Sequence, residues 1–426
     1  MLPDTYYSRV ASADPVRPSL SGYTEVDACI VGAGLAGLST ALELARRGRR
    51  VCVLEAERVA WGASGRNGGF VSPGYSSGFQ QIARRVGHDR ARELYRLSIE
   101  GAEAVADNIA ALDIRDVSRT DGILSVARHE ATASLAAHRD WLEQEFNYRL
   151  EFRSRAQVQA SLSSARYFQG LYNPNAFHLH PLNYARALAR EIERLDGNVC
   201  EDSRALEIAR ERGLRVVATA GGRVRCKEVV IACGGYTDTL VPALKRSSLP
   251  IATYVMLTRP EKGLIGRAIR TTAAIGDHRR AGDYYRLVEG GERILWGGRI
   301  TTRTSEPRRL ARLLQRTMVS TYPQLETLQV DAAWSGLMAY ARHLMPQIGR
   351  LGEDLWYCTA FGGHGLNTTA IGGRVVAEAI TGQSDRYRLF EPFGLSWNGG
   401  AVGRAAAQAT YWSLQALDFL RERRSG

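Results

Sequence analysis

The chain has 426 residues, of which 45% are hydrophobic and 23% charged, with a formal net charge of +12. This length suits two domains or one interrupted by another, and no apolar run is long enough to span a bilayer. The positive charge is almost all arginine, spread along the chain without a nucleic-acid module or aromatic-interleaved stripe, so no nucleic-acid partner is expected, while an anionic cofactor or substrate would be favoured.

The opening "MLPDTYYSRVASADPVRPSL" lacks the apolar core of a secretory signal, and a cytoplasmic protein is expected. "ACIVGAG" is then a short β-prone run with the look of a buried parallel strand. It leads into Gly32-Ala33-Gly34-Leu35-Ala36-Gly37, a complete GxGxxG, and on into a helix with apolar residues at Leu35, Leu38, Leu42 and Ala45. Arginines in the last turn and Gly48 close that helix. "RVCVLE" is a second strand, ending on Glu55, 18 residues after the last motif glycine.

Each part has a physical job. Gly32 allows the tight turn, Gly34 lets a pyrophosphate approach the backbone, and Gly37 lets helix and strand pack closely. The helix N-terminus offers free N–H groups and a positive dipole end. Glu55 can accept hydrogen bonds from a ribose hydroxyl and disfavours a 2′-phosphate there. NAD and FAD both satisfy this motif.

The next stretches separate them. A simple NAD domain would continue with βα repeats. Here a glycine-rich loop follows from Gly62 to Gly69, and its Ser64, Gly65, Arg66, Asn67, Gly68 and Gly69 can wrap a cofactor. Residues 90–112 read as an amphipathic helix, "DGILSVAR" and "ERILWGGRI" as strands, and 306–323 as a helix opened by Glu306 and Pro307. "CKEVVIACGGYTDTL" is a late strand ending in Gly234-Gly235, as expected where a returning strand passes under a dinucleotide. "FGGHGLNTTAIGGR" (361–374) is a second glycine-rich helix start, with His364 between two glycines. The tail 401–421 is helix-prone and is expected to cover the body or a subunit partner in a possible homo-oligomer, rather than a membrane surface. The six cysteines form no CxxC pair, and those in apolar runs read as buried hydrophobes. Neither a disulfide framework nor a metal site is expected.

The GxGxxG stretch followed by "GASGRNGG" resembles the D-amino-acid oxidase-like FAD-dependent oxidoreductases, and among them most the γ-glutamylputrescine oxidoreductase branch. "TYY", "HLHPLNYARALA", "YYRLVEGGERILWGGR", "WSGLMAYARHLMPQIG" and "FGGHGLNTTAIGGRVVAEAITG" fit the same resemblance, which covers nearly the whole chain.

The resemblance implies an α/β (α+β overall) fold: a Rossmann-like, glutathione-reductase-like FAD domain with an antiparallel-sheet substrate domain. The FAD domain would take 22–85, 165–240 and 335–390, the substrate domain 86–164 and 241–334, and the helical tail 391–426. It implies an enzyme that oxidises the C–N bond of an amine or amino acid by hydride transfer to flavin N5, giving an imine that hydrolyses. An imino-acid or amino-acid oxidase or dehydrogenase, pipecolate-like, is the alternative within enzymes. A non-catalytic flavin-binding protein is the alternative outside them.

The partners implied are the small-molecule substrate and oxygen or another electron acceptor. Ala56, Leu206, Gly234 and Gly235 join the cofactor set. Gly363, Gly365, Leu366, Asn367 and Thr368 would turn backbone N–H groups to the electron-rich edge of the flavin. His364, Tyr254, Tyr284, Tyr340 and Arg342 are the candidate catalytic residues, and one of Tyr284 and Tyr285 is expected in the core. Relatives with a covalent flavin carry a cysteine near "WSGLMAYAR". None occurs from Ala332 to Gly349, so the FAD is expected to be noncovalent. Asn367 stands where relatives place a lysine used for carboxylate binding and oxygen activation, which puts both functions in doubt.

Overall fold

The computed structural model describes residues 1–279, 282–302 and 307–425. Among these, the strands form two sheets, of eight and nine strands. The first is built on parallel strands with continuous apolar runs, as a sheet covered on both faces requires. Gly22–Val31 is central, with Val51–Leu54 on one side and Gly222–Ile231 on the other. Asn198–Cys200 and Leu355–Thr359 extend it in parallel, and Gln347–Arg350 closes it antiparallel.

The helix Leu35–Arg46 follows the first strand and is buried along almost its whole length. Its end is as the sequence predicts: Gly48 takes φ +71° and donates to the Ala45 carbonyl at 2.9 Å. Gly365–Ile380 packs beside it, and His88–Ala111 lies against that helix in turn. Five of the six cysteines are buried in these layers and none is paired.

The second sheet runs Val330–Ala341, Ser248–Thr258, Arg293–Thr301, Tyr284–Val288, Ala274–Asp277, Thr120–Val126, Gly170–His178 and Phe70–Val71, with Glu151–Arg153 beside Gly170–His178. Its pairs are antiparallel except one: Ala274–Asp277 runs parallel to Thr120–Val126. The sheet is therefore mixed where an antiparallel one was expected. Its strands come from both sets of segments that the sequence assigns to separate domains, because Phe70–Val71, Gly170–His178 and Val330–Ala341 all pair here.

Strand alternation divides the side chains of this sheet between two cores. Ala252, Tyr254 and Met256 enter one core with Tyr285, Trp296, Leu314 and Met318 from the helix Pro307–Thr321. Val255, Leu257 and Leu295 face the main core shared with the first sheet. Glu306, expected at the start of that helix, lies outside the described residues.

The N-terminal arm is built into this body. Thr5 and Ser8 form a reciprocal cap on the short helix Tyr6–Val10, and Tyr7 is fully buried. The tail forms the helix Gly400–Ser425. No helix among the described residues is long and apolar enough to cross a membrane.

Candidate functional site

A cavity of about 410 Å³ opens at the ends of the first two parallel strands, where Val31 and Leu54 meet the glycine turn. Gly32, Gly34, Glu55, Ala56, Ser64, Leu206, Gly234 and Gly235, eight of the expected cofactor residues, line it. These segments lie far apart in sequence, and the parallel sheet delivers all their ends to one edge.

The glycines earn their positions sterically. Gly32 has φ +106°, and a Cβ there would sit 2.9 Å from the Ala232 carbonyl oxygen. A Cβ on Gly37 would lie 1.9 Å from the Gly32 oxygen, so the helix can seat on the strand only without it. Glu55 Oε2 accepts from the Ala33 N–H at 2.8 Å and Oε1 from the Glu57 N–H at 2.9 Å. Burial pushes this carboxyl up from its ordinary range, partly offset by those two donors.

The loop Ser64–Gly69 is folded mainly by its own side chains. Ser64 Oγ accepts from the Leu35 N–H at 2.9 Å and so caps the first helix. Asn67 donates to the carbonyls of Ala63 and Ser64 and accepts from the Gly69 N–H. Its side chain shapes the loop and is not offered to a ligand. Gly65 presses on the Ala60 carbonyl, Gly68 on the Tyr284 ring and Gly69 on the Leu179 carbonyl. Arg66 donates to the Trp61 carbonyl at 2.7 Å and stacks 4.4 Å from its ring, while its buried Nη2 has no hydrogen-bond partner among the described residues. Burial lowers its pKa. Leu35 and Ala36, expected at the cofactor, are buried in the helix and do not line the cavity, and the Leu35 N–H is taken by Ser64.

The strand Val330–Ala341 connects this cavity to the second glycine-rich segment. A Cβ on Gly235 would lie 2.5 Å from the Leu337 carbonyl oxygen. Three residues on, roughly 10 Å along the strand, the Tyr340 hydroxyl would lie 2.9 Å from a Cβ on Gly363. Ser76 sits at the same place: its Oγ accepts from the Gly363 N–H at 2.8 Å and hydrogen-bonds Tyr340. The Gly363 N–H, expected to face the flavin, is therefore taken by Ser76. Gly365, Leu366 and Asn367 form the first turn of the helix, where N–H groups have no intrahelical acceptor.

Other expectations for this helix are also corrected. The Asn367 side chain is buried and donates to the Gly74 and Ser98 carbonyls at 3.2 and 3.3 Å, tying the helix to its neighbours. Thr368 turns its hydroxyl back onto the His364 carbonyl, and the Leu366 side chain is core. His364 is half-buried beside Gly74, and its ring makes no hydrogen bond to a described residue. Burial lowers its pKa.

The candidate catalytic residues divide. Tyr284 faces Gly68 and Phe70, with its ring 5.5 Å from the phenylalanine, and hydrogen-bonds Thr253. Burial pushes its phenol up to about 12. Tyr340 is shifted upward by burial too, with further contributions from Tyr411 and Tyr284. Tyr284, Tyr340 and His364 therefore border one region. Tyr254 does not join them. It is fully buried in the far-face core, because alternation turns it away from Thr253 and Val255. Tyr285 is the core member of its pair, stacked on Trp296 at 4.1 Å and bonded to the Tyr167 and Tyr322 hydroxyls. Arg342 lies just past the strand end and is exposed, so it does not reach the region as a carboxylate clamp.

Sequence reasoning missed Trp61, Cys233 and Tyr236 in the cavity wall, and Ser76 and Thr253 at the ring-side cluster. Trp61 and Tyr236 pack edge to face at 5.2 Å over Gly62. Only the dipeptide spacing beside known glycines could have signalled them.

A dinucleotide fold with a second sheet packed over its glycine turn defines a flavoprotein oxidoreductase architecture. The family model for FAD dependent oxidoreductases matches residues 27–379, and the chain belongs to that family. It is 33% identical over 423 residues to the gamma-glutamylputrescine oxidoreductase of Escherichia coli, covering 96% of this chain and 97% of that one. It is 30% identical over 399 residues to a probable oxidoreductase OrdL of Haemophilus influenzae, covering 91% and 90%. The fold matches a glycine oxidase structure from Bacillus cereus with a TM-score of 0.71 at 23% identity, over 85% of this chain and 97% of that one. The expected enzyme class, FAD-dependent oxidation of an amine or amino-acid C–N bond, stands with that membership.

The residues present fit FAD. The Gly32 and Gly34 cradle is space that a side chain would fill, Glu55 is a buried carboxylate at the strand end, and Arg66 holds an orphaned donor beside the same loop.

Proposed function

We propose that the chain oxidises an amine lacking an essential α-carboxylate, with noncovalent FAD laid along the path from Glu55 to His364. The observation that carries this reading is the strand Val330–Ala341, which joins the glycine cavity at Leu337 to the start of the second glycine-rich helix at Tyr340. Gly32, Gly34 and the first-turn N–H groups of the helix Leu35–Arg46 that Ser64 leaves open would hold the pyrophosphate, Glu55 the ribose, and the backbone of Ser64–Gly69 the middle of the cofactor. The Gly365–Asn367 turn would place its positive dipole end at the ring's electron-rich edge.

FAD held there would supply the acceptor for the hydride equivalent on the carbon beside the amine nitrogen. The chain's own residues bind and orient. Tyr284 and Tyr340 have raised pKa values and stay neutral near pH 7, so they offer hydroxyl donors and apolar ring faces rather than charge. His364 stays neutral there because burial lowers its pKa, so its imidazole can hydrogen-bond an arriving neutral amine. Tyr340 and Ser76 shield this region from one side, and Phe70 from another.

Carboxylate recognition has little support, since Arg342 is exposed and the Arg286 nitrogens are committed to Gly68, His178, Tyr7 and Leu179. The one observation in its favour is the Nη2 of Arg66, which has no hydrogen-bond partner among the described residues. The electron acceptor is expected to be other than oxygen, because Asn367 replaces the oxygen-activating lysine and its side chain is tied to Gly74 and Ser98. The FAD-loaded protein should bleach anaerobically with γ-glutamylputrescine or a related secondary or primary amine and recover slowly in air. Bleaching with α-amino acids alone would overturn the amine reading. A protein that stays colourless with added FAD would overturn the cofactor site.

A further inference from the structure

The register of the second sheet brings a row of strand termini to one end. Ser248 pairs with Ala341, Ala252 with Thr301, Tyr284 with Gly297 and Gly276, and Asp277 with Val126. Ala341, Thr301, Asp277 and Val126 are strand ends there, and Ser248 and Tyr284 are strand starts. Tyr340, one residue before its strand's end, therefore stands at the same end of the sheet as Tyr284.

The helix Gly400–Ser425 lies along that row, and its contacts follow the strand order. Asn398, just before it, donates to the Ser248 carbonyl at 2.7 Å. Gln408 accepts from Thr301 Oγ1 at 2.8 Å and from the Thr302 N–H at 3.0 Å. Glu422 lies 3.8 Å from both Arg279 and Arg128, which follow Asp277 and Val126. These contacts are polar, and no described residue of the helix enters the hydrophobic cores of the two sheets.

Tyr411 stands about one turn beyond Gln408, on the same docked side. It is half-buried, and its hydroxyl has no hydrogen-bond partner among the described residues. It lies near enough to Tyr340 for its charge to raise that phenol. Tyr340 is thus bordered by Gly363 and Ser76 at the second glycine-rich segment and by Tyr411 from the helix. Burial pushes the Tyr411 phenol up to about 12, so it keeps its proton near pH 7 and can donate it in a hydrogen bond. A half-buried ring outside both cores, with a donor that no described residue uses, is placed for a ligand rather than for packing.

Resting on the reading of Tyr284, Tyr340 and His364 as the region that takes the amine, we propose that Tyr411 is a specificity-determining residue of that region. Its hydroxyl donates to an acceptor on the far part of an extended amine. The reactive nitrogen sits by His364, the aliphatic chain passes the Tyr340 ring, and the polar tail ends under the helix. The helix is then the outer wall of the substrate region, fixed across the strand ends by its polar contacts.

Anaerobic bleaching of the full FAD-loaded chain, measured against amine concentration, tests this with two amines of matched length. N-acetylputrescine carries a distal carbonyl and heptylamine carries none. The wild type should favour N-acetylputrescine, and Tyr411→Phe should shrink that preference about tenfold, with the loss in half-saturation rather than in limiting rate. Tyr411→Ala should abolish the preference. Both variants should keep the wild-type FAD content and melting curve, because Tyr411 enters neither core. Equal losses for the two amines would make Tyr411 a structural residue and overturn the proposal. So would an unchanged preference in Tyr411→Phe, or a wild type that does not discriminate between the two. A wild type that no amine bleaches would overturn the functional reading itself, an outcome read without any variant and so distinct from the others.

Discussion

Ser64 Oγ accepts a hydrogen bond from the Leu35 N–H at 2.9 Å, so the glycine-rich loop caps the helix that opens at the first glycine turn. One contact joins two segments that the sequence offers as separate cofactor-binding motifs. A Cβ on Gly34 would lie only 3.0 Å from the same oxygen, so the loop and turn also share a wall.

Replacing Ser64 with alanine should therefore act twice. Loss of the cap should cost about 1 kcal/mol of stability in the apoprotein. The loop, no longer fixed to the helix, should also hold FAD more weakly, by roughly tenfold. Thermal melts without FAD and fluorescence titration with FAD read the two effects separately. A normal affinity with a lowered melting temperature would confine Ser64 to the cap.

Two glycine substitutions should separate packing from cofactor approach. A Cβ on Gly37 meets the Gly32 carbonyl at 1.9 Å, and Gly37→Ala should lose the folded turn and FAD together. At Gly365 a Cβ would meet nothing within 4 Å. Alanine there should leave the apoprotein's melting temperature unchanged or slightly higher, since alanine favours helix over glycine. If the ring edge sits on that turn, FAD affinity should still fall about tenfold. Equal FAD affinity in wild type and Gly365→Ala would move the ring elsewhere.

Acid should weaken the second sheet where Gly170–His178 meets Arg286. His178 donates through Nε2 to the Thr272 carbonyl and accepts at Nδ1 from Arg286, so it is held neutral. Burial, followed by the Arg286 charge, lowers its pKa to about 4, and His180 beside it falls to about 4 for the same reasons. A folded pKa below the unfolded value near 6.5 means stability that is present above pH 6.5 and lost as pH falls through 4. His178 alone contributes up to about 3 kcal/mol of that loss. Melting temperatures from pH 7 to 4 should fall more steeply for wild type than for His178→Gln. Parallel curves would show that the histidine does not titrate in this window.

Legibility followed the range of the interactions. The turn Gly32–Gly37, Glu55 and Gly234-Gly235 declare themselves locally, by glycines and an acid at fixed distances from apolar runs, and the structure gathers them in one cavity. The phase of a strand with apolar residues on both faces is not local. "TYV" and "YYR" each fit either orientation, and only the packing of Trp296 and Tyr322 against Tyr285 fixes which tyrosine turns outward. Ser76 sits in a loop without periodicity, and its partners Gly363 and Tyr340 are more than 250 residues away. Asn367 was legible as a substitution but not as a tie to Gly74 and Ser98, because that role depends on a helix packed from elsewhere in the chain.

The two tyrosines that alternation separates give the sharpest functional test. Tyr284 stands against Gly68 and hydrogen-bonds Thr253, on the side of the sheet that carries the glycine-rich loop. Tyr254, one residue from Thr253, is sealed in the opposite core among Met256, Tyr285 and Trp296. Tyr284→Phe should lower kcat/KM for the preferred amine about tenfold or more, a larger effect than the roughly 1 kcal/mol of stability lost with its bond to Thr253. Tyr254→Phe should lose stability alone: about 1 kcal/mol with its buried hydroxyl, and kcat/KM within twofold of wild type. Steady-state kinetics and melts on both variants decide it. A kinetic loss confined to Tyr254→Phe would place the substrate on the other face of the sheet, against the Thr253 and Tyr284 geometry.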